Sequence, residues 1–286
     1  VNRAAVEVVD PGPLSTLQDL GRTGWAHLGV PRAGALDRGA AALARRLVGG
    51  AVDDAVIETT LGGIVLRTRR AVTLAVTGAP CPVRVDRRTV DHGAAVTVPA
   101  GAEVSVGAAT SGVRSYVALS GGIDVEPVLG SRSTDTLAWV GPARLAAGHL
   151  LAVGSPPSPS DLPEPPPAIV VRPRARELRL VRGPRADWLG EGSWQALDGA
   201  TYVVGADSDR VGLRLDGPRV ERRGGELPSE GLVLGGVQLP PSGQPVVFLA
   251  DHPTTGGYPV VALLLDDDLD LCAQLRPGDE VALRTM

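Results

Sequence analysis

The sequence predicts a mainly β protein with a few short helices, organised as two related halves. Three observations carry this. Short apolar runs rich in Val, Ile and Leu alternate with Gly, Pro, Asp and Ser clusters at about 8–12 positions, the rhythm of a β-sandwich or barrel. One low-complexity stretch, GSPPSPSDLPEPPP at 154–167, divides the 286 residues into 1–153 and 168–286, and its prolines favour an extended connector. The halves also echo each other. Asp37-Arg38 precedes Glu58 by 21 positions, and Asp209-Arg210 precedes Glu230 by the same 21. A glycine pair follows each glutamate, Gly62-Gly63 and Gly235-Gly236, and each half later reaches a similar turn, PAGAEV at 99–104 and RPGDEV at 276–281. Matches in the same order point to a duplicated β domain.

Taken along the chain, AVTLAV (71–76), AAVTVP (94–99), AEVSVG (102–107) and SYVALS (115–120) read as strands of the first half. ELRLV (177–181), TYVVG (201–205) and PVVALLL (259–265) read as strands of the second. The clearest helix runs from Asp37 to Leu47: Asp37 can cap it, an alanine-rich run favours it, and Gly49-Gly50 stop it. ADWLGEGSWQAL at 186–197 and LDLCAQL at 269–275 are candidate short helices.

Composition excludes several function classes. A formal charge of −4 argues against a nucleic-acid partner, because phosphate backbones want a basic face. No apolar run reaches the ~18 residues that span a bilayer. VNRAAVEVVDPGP at the start lacks the apolar stretch of a signal peptide, so a cytoplasmic location is expected. All 28 basic residues are arginine. Without lysine the chain holds no P-loop, which needs GxxxxGK, and no Schiff base or covalently attached biotin. If ATP or biotin enters the chemistry, another polypeptide supplies that machinery. Cys81 and Cys272 stand alone among apolar neighbours and read as buried small hydrophobes. The four histidines show no metal-ligand spacing, and HExxH, GxSxG and GxGxxG are absent, so no metal site is expected.

The densest motif is SEGLVLGGVQLPPSGQPVVFLADHPTTGGYP, Ser229 to Pro259. Its glycines allow tight turns and close backbone approach to a ligand. Asp251 and Glu230 are the candidate proton-handling carboxylates, each beside an apolar strand. Arg210, in SDRVGLRL, is the candidate clamp for a substrate carboxylate, which a guanidinium fork grips bidentately. Thr254, Thr255, Gly256 and Gly257 offer hydroxyls and N–H groups as an oxyanion nest, with Gln238 and Tyr258 beside them. The competing reading makes Arg210 and Glu230 an internal ion pair that braces the barrel. In the first half, Gln18, Asp19 and Arg22 of LQDLGRTG are either one wall of an interdomain cleft or a capped turn leading into the first helix.

These motifs, with GVPRAGALD, IETTLGG, SGGID, GSRST and GGVQLP, give a chain that resembles the allophanate hydrolase subunit 2 family, also called the biotin-dependent carboxyltransferase C/D subdomain. That family includes the 5-oxoprolinase C subunit and KipA-like proteins. The resemblance spans nearly the whole chain and implies two tandem cyclophilin-like β-barrels. It implies a subunit that works with a B-type (KipI-like) partner and an A-type subunit in ATP-dependent opening of 5-oxoproline to glutamate. The alternatives within the family are carboxyl transfer from carboxybiotin to urea and a regulator that binds a kinase inhibitor. Arg45, Gly50, His252, Pro253 and Val260 depart from the family pattern, which bears on substrate specificity.

Overall fold

The computed structural model describes residues 4–155, 176–225 and 227–286. The predicted connector at 154–167 therefore lies outside the described residues from position 156 onward. The chain divides into two compact units. The first holds the chain through Arg22, Asp37–Thr134 and the stretch that opens at Trp139. The second holds Thr23–Leu36, Asp135–Ala138 and the C-terminal stretch to Met286. Two short pieces of the first half thus belong to the second unit, a crossing that the contiguous ranges 1–153 and 168–286 do not contain.

In the first unit the strands form two sheets rather than one closed circuit. One runs in the order Leu150–Ala152, Ala4–Asp10, Val65–Thr68, Glu103–Val106, Val83–Val85, Arg88–Val90. The other runs Leu14–Gln18, Val56–Thr60, Arg114–Leu119, Val72–Gly78, Ala95–Val98. Leu66, Val104 and Val83 from one sheet share a core with Ile57, Leu74, Val117 and Leu119 from the other. Each large aliphatic side chain buried here contributes roughly 1.5–3 kcal/mol.

Arg114–Leu119 is buried at all six positions, the pattern of a strand covered on both faces. The longest helix among the described residues, Arg38–Leu47, packs on this strand and on Val72–Gly78. Its start follows from sequence: Asp37 is extended, and its carboxylate accepts the Ala40 N–H at 2.8 Å. Ala41, Ala44 and Arg45 form the buried stripe, while Thr77 Oγ1 donates to Ala40 O at 2.7 Å. Tyr116 is fully buried and ties helix to sheet, its hydroxyl accepting the Asp37 N–H (2.7 Å) and donating to Glu58 (2.8 Å).

The second unit is a closed seven-stranded barrel. Its order is Glu177–Arg182, Val260–Leu264, Gly236–Gln238, Val246–Phe248, Gly212–Asp216, Thr201–Val204, Glu280–Thr285. A parallel pairing of the last strand with the first, Leu178 opposite Leu283, closes it. Leu178, Leu180, Leu213, Leu215, Val247 and Leu283 fill the interior, and Leu36 of a recruited piece joins them. The predicted 186–197 helix divides into a 3-10 turn at Ala186–Trp188 and a helix at Ser193–Leu197, with left-handed Gly192 between. LDLCAQL shortens to Leu269–Cys272. Cys81 and Cys272 are both buried, and burial raises both thiols above their ordinary range, as expected of packing residues. No helix among the described residues is long and apolar enough to cross a membrane.

Replacing the helix cap, Asp37→Ala, should lower stability by about 1 kcal/mol, while Asp37→Asn restores most of it. Urea unfolding midpoints at unchanged slope are the check. Equal midpoints for all three proteins would contradict the capping assignment.

Candidate functional site

Arg210 stands just before the strand Gly212–Asp216, and Asp251 three residues past the end of Val246–Phe248. The ladder between these strands carries on past their ends, with Leu249 N donating to Val211 O and Asp251 N to Arg210 O, both at 3.0 Å. That register sets the side chains face to face. Arg210 Nε donates to Asp251 Oδ2 at 2.8 Å and Nη2 to Oδ1 at 3.0 Å, a bidentate pair with both residues 2% exposed or less. Arg210 Nη2 also donates to Gly34 O at 2.7 Å. Asp251 Oδ2 accepts the Thr136 N–H at 2.9 Å and its hydroxyl at 2.7 Å.

This corrects two expectations. The carboxylate that Arg210 grips belongs to Asp251, so its fork is not offered to a substrate. Asp251, sealed and satisfied by four hydrogen-bond donors, is not placed to exchange protons with a ligand. The alternative, an Arg210–Glu230 brace, is not formed: Arg210 pairs with Asp251, and Glu230 pairs with Arg185.

Glu230 sits in a two-residue ladder, Glu230 opposite Gly256 and Gly231 opposite Thr255. Arg185 Nε donates to Glu230 Oε2 at 2.9 Å, and its Nη2 grips Oε1. That hydrogen bond, assisted by the guanidinium charge, outweighs partial burial and holds the Glu230 carboxyl below its ordinary range. Near neutrality Glu230 is therefore a carboxylate, able to accept hydrogen bonds and not to donate a proton.

The threonine-glycine loop is drawn tight from within. Leu232 N donates to Thr254 O at 2.9 Å, and Gln238 Nε2 donates to Tyr258 O at 3.2 Å. A Cβ on Gly256 would meet Leu232 Cδ1 at 2.9 Å and Gln238 Nε2 at 3.2 Å, so a larger residue would have to push these side-chain ends aside. On the outer side Thr255, Gly257 and Tyr258 are exposed, Tyr258 by 46%. Gln238 is thus a support of the loop, and the outward groups are the ones a ligand can reach. His252 is buried against Phe248, and burial lowers its pKa. Val260 lies in a small apolar cluster with Leu232 and Phe248, part of the loop's packing.

Gln18, Asp19 and Arg22 belong to the first unit and fold back on the loop 128–134. Asp19 accepts the Ser131 hydroxyl (2.6 Å), the Ser133 hydroxyl (2.5 Å) and the N–H groups of Arg132 and Gly21. Burial pushes its carboxyl up, but these four bonds outweigh that and hold it below its ordinary value. The stability this supplies is complete above that ordinary value and is lost as pH falls through the lowered one. Arg22 donates to Ser133 O and Val128 O. Gln18 Nε2 donates to Thr16 Oγ1 and Thr134 O, while its Oε1 is buried without a hydrogen-bond partner among the described residues. Arg45 and Gly50 support the same region: Arg45 Nε donates to Asp54 O at 2.7 Å, and a Cβ on Gly50 would meet Asp54 Oδ2 at 2.8 Å. These bonds tie the segment to the loop 128–134, and the first helix takes its cap from Asp37 instead.

Sequence reasoning does not single out Arg185, Thr136, Gly34 or the serines of GSRST as partners. Arg185 follows a Gly-Pro turn after a predicted strand, and Thr136 lies two positions past the end of GSRST, which are the signals that could have found them.

Removing one member of the buried pair, as in Asp251→Ala, should cost roughly 3–5 kcal/mol, because it leaves an uncompensated buried charge. The double variant Arg210→Met with Asp251→Leu should recover much of that loss. Melting temperatures of the single and double variants decide it. A single variant that melts like the wild type would remove the pair from its bracing role.

Comparison with known proteins follows the same architecture. A family model described as "Carboxyltransferase domain, subdomain A and B" matches residues 28–285, the lettering differing from the C/D used for the motif resemblance. The chain is 34% identical to the 5-oxoprolinase C subunit of Escherichia coli (strain K12), over 96% of this chain and 89% of that protein. Among solved structures, TTHA0988 matches with a TM-score of 0.88 and 36% identity, covering 100% of this chain. The urea amidolyase of K. lactis matches with a TM-score of 0.91 and 28% identity, covering 98% of this chain. This chain spans 56% of the TTHA0988 chain and 18% of the urea amidolyase. With the match running through both units, the chain belongs to the carboxyltransferase domain, subdomain A and B family.

Proposed function

We propose that this chain is the C-type subunit of an ATP-dependent 5-oxoprolinase, which opens the lactam of 5-oxoproline to glutamate together with B-type and A-type subunits. The observation that carries this reading is the 34% identity to the E. coli 5-oxoprolinase C subunit along nearly the full length of both chains. In the proposed reaction ATP activates the lactam oxygen and water then opens the C–N bond. The absence of lysine leaves P-loop chemistry to another domain or polypeptide. Within this chain, the outward face of the Thr254–Tyr258 loop supplies the polar groups. The Thr255 hydroxyl and the Gly257 backbone suit a developing oxyanion, and the Tyr258 ring gives an amide plane something to lie on. Glu230, held ionised by Arg185, suits acceptance of a hydrogen bond from the lactam N–H or from the attacking water. Arg210 and Asp251 act beneath this surface as positioning residues.

A second reading is carboxyl transfer from carboxybiotin to urea or a similar amide. It is favoured by the likeness to the K. lactis urea amidolyase across 98% of this chain. The chain has no lysine to carry biotin, so the carboxylated group would arrive on another domain or polypeptide.

The purified chain alone should release no phosphate from ATP in response to 5-oxoproline, and adding its B- and A-type partners should produce glutamate. In that assembly Thr255→Val should lower kcat roughly tenfold or more, a loss of about 1.4 kcal/mol of transition-state stabilisation, at an unchanged melting temperature. Turnover by the chain alone would overturn its assignment to a multi-component enzyme. Bicarbonate-dependent carboxylation of urea by an assembly containing a biotin carrier, with no glutamate formed, would favour the second reading. Full activity of Thr255→Val would move the chemistry away from this loop.

A further inference from the structure

The second unit carries a concave surface that the proposed reaction does not use. Its volume is about 480 Å³, within the usual range for small-molecule sites, and Arg219, Glu221, Arg222, Arg223 and Pro241 line it. Three arginines within five residues is a dense positive patch for a chain whose formal charge is −4. Arg67, Arg69, Arg176 and Arg284 each meet a carboxylate within 4.0 Å, whereas the exposed Arg84, Arg88 and Arg214 meet none among the described residues. Among the described residues Arg219, Arg222 and Arg223 meet none. Their side-chain contacts are with backbone oxygens: Arg219 Nη2 to Pro241 O at 3.3 Å and Arg222 Nη1 to Arg223 O at 3.4 Å.

The backbone under these side chains is pinned. Val220 N donates to Gly243 O, Arg223 N to Trp188 O, and Glu221 O accepts both Gly190 N and Ser193 Oγ. The Arg222 guanidinium lies 6.0 Å from the Trp188 ring centroid, a contact that limits its freedom without consuming its charge. Three guanidinium groups and one carboxylate leave a local charge of about +2, which matches the −1.5 to −2 of a phosphate group near neutrality. A guanidinium fork also fits tetrahedral oxyanions bidentately.

We propose that this groove is a binding site for a phosphate-bearing small molecule. The groove's own residues carry this assignment, independently of the functional reading above. The full chain is titrated with pyrophosphate in a calorimeter, beside citrate at the same ionic strength. Saturable one-to-one binding of pyrophosphate is expected, falling with added salt as surface charges are screened. The double variant Arg222→Gln with Arg223→Gln should weaken it at least tenfold, and Arg219→Gln alone should weaken it measurably. A control pair in the first unit, Arg84→Gln with Arg88→Gln, should bind like the wild type. Circular dichroism confirms that each variant is folded. Absent or non-saturating binding, equal binding by the groove variant, or equally tight citrate binding would each overturn the assignment.

Discussion

The second unit depends on one buried ion pair. Arg210 and Asp251 satisfy each other bidentately and still have bonds to spare, and those bonds go to Gly34 and Thr136. The pair therefore joins four stretches of sequence at one point: both barrel strands that flank it, the piece 23–36 and the piece 135–138. Ala33 N, which donates to Ala250 O at 3.0 Å, reinforces the same junction. A buried charge pair is a costly way to gain stability, since desolvation consumes much of the attraction. An apolar contact at this point would not prescribe which carbonyl and which N–H the two recruited pieces present.

That constraint divides the polar groups of the densest motif into two layers. Asp251, Gln238 and the inner side of Gly256 face the chain itself and set the shape of the loop. Thr255, Gly257 and Tyr258 face outward on the shape so made. Glu230 stands between the layers, paired to Arg185 and left ionised. The arginines that would take an anion lie in a different groove.

Much of the architecture was legible in the sequence because it rests on local rules. The helix at Arg38–Leu47 starts where Asp37 can cap it, and the predicted strands appear within a residue or two of their expected bounds. The motif at Ser229 to Pro259 announced itself through its glycines. The partners of its charged residues did not, because an ion pair between Arg210 and Asp251 is a fact of barrel register across 41 positions. The 21-residue echo drew attention to Arg210 with Glu230, yet Glu230 belongs to a separate two-residue ladder. The recruitment of 23–36 and 135–138 was equally hidden: both are short and turn-rich, and no periodicity says which core they serve. Asp19 shows the same limit, since its serine donors arrive from more than 100 positions away.

Hydrogen exchange on Asp251→Asn tests the junction most directly, because Ala33 and Thr136 N–H groups are bonded at it in the wild type. The account predicts that amides in 23–36 and 135–138 lose at least tenfold more protection than those of the barrel strands Glu177–Arg182 and Glu280–Thr285. Uniform loss across the whole barrel, or no loss in the two recruited pieces, would contradict the claim that this ion pair holds them in place.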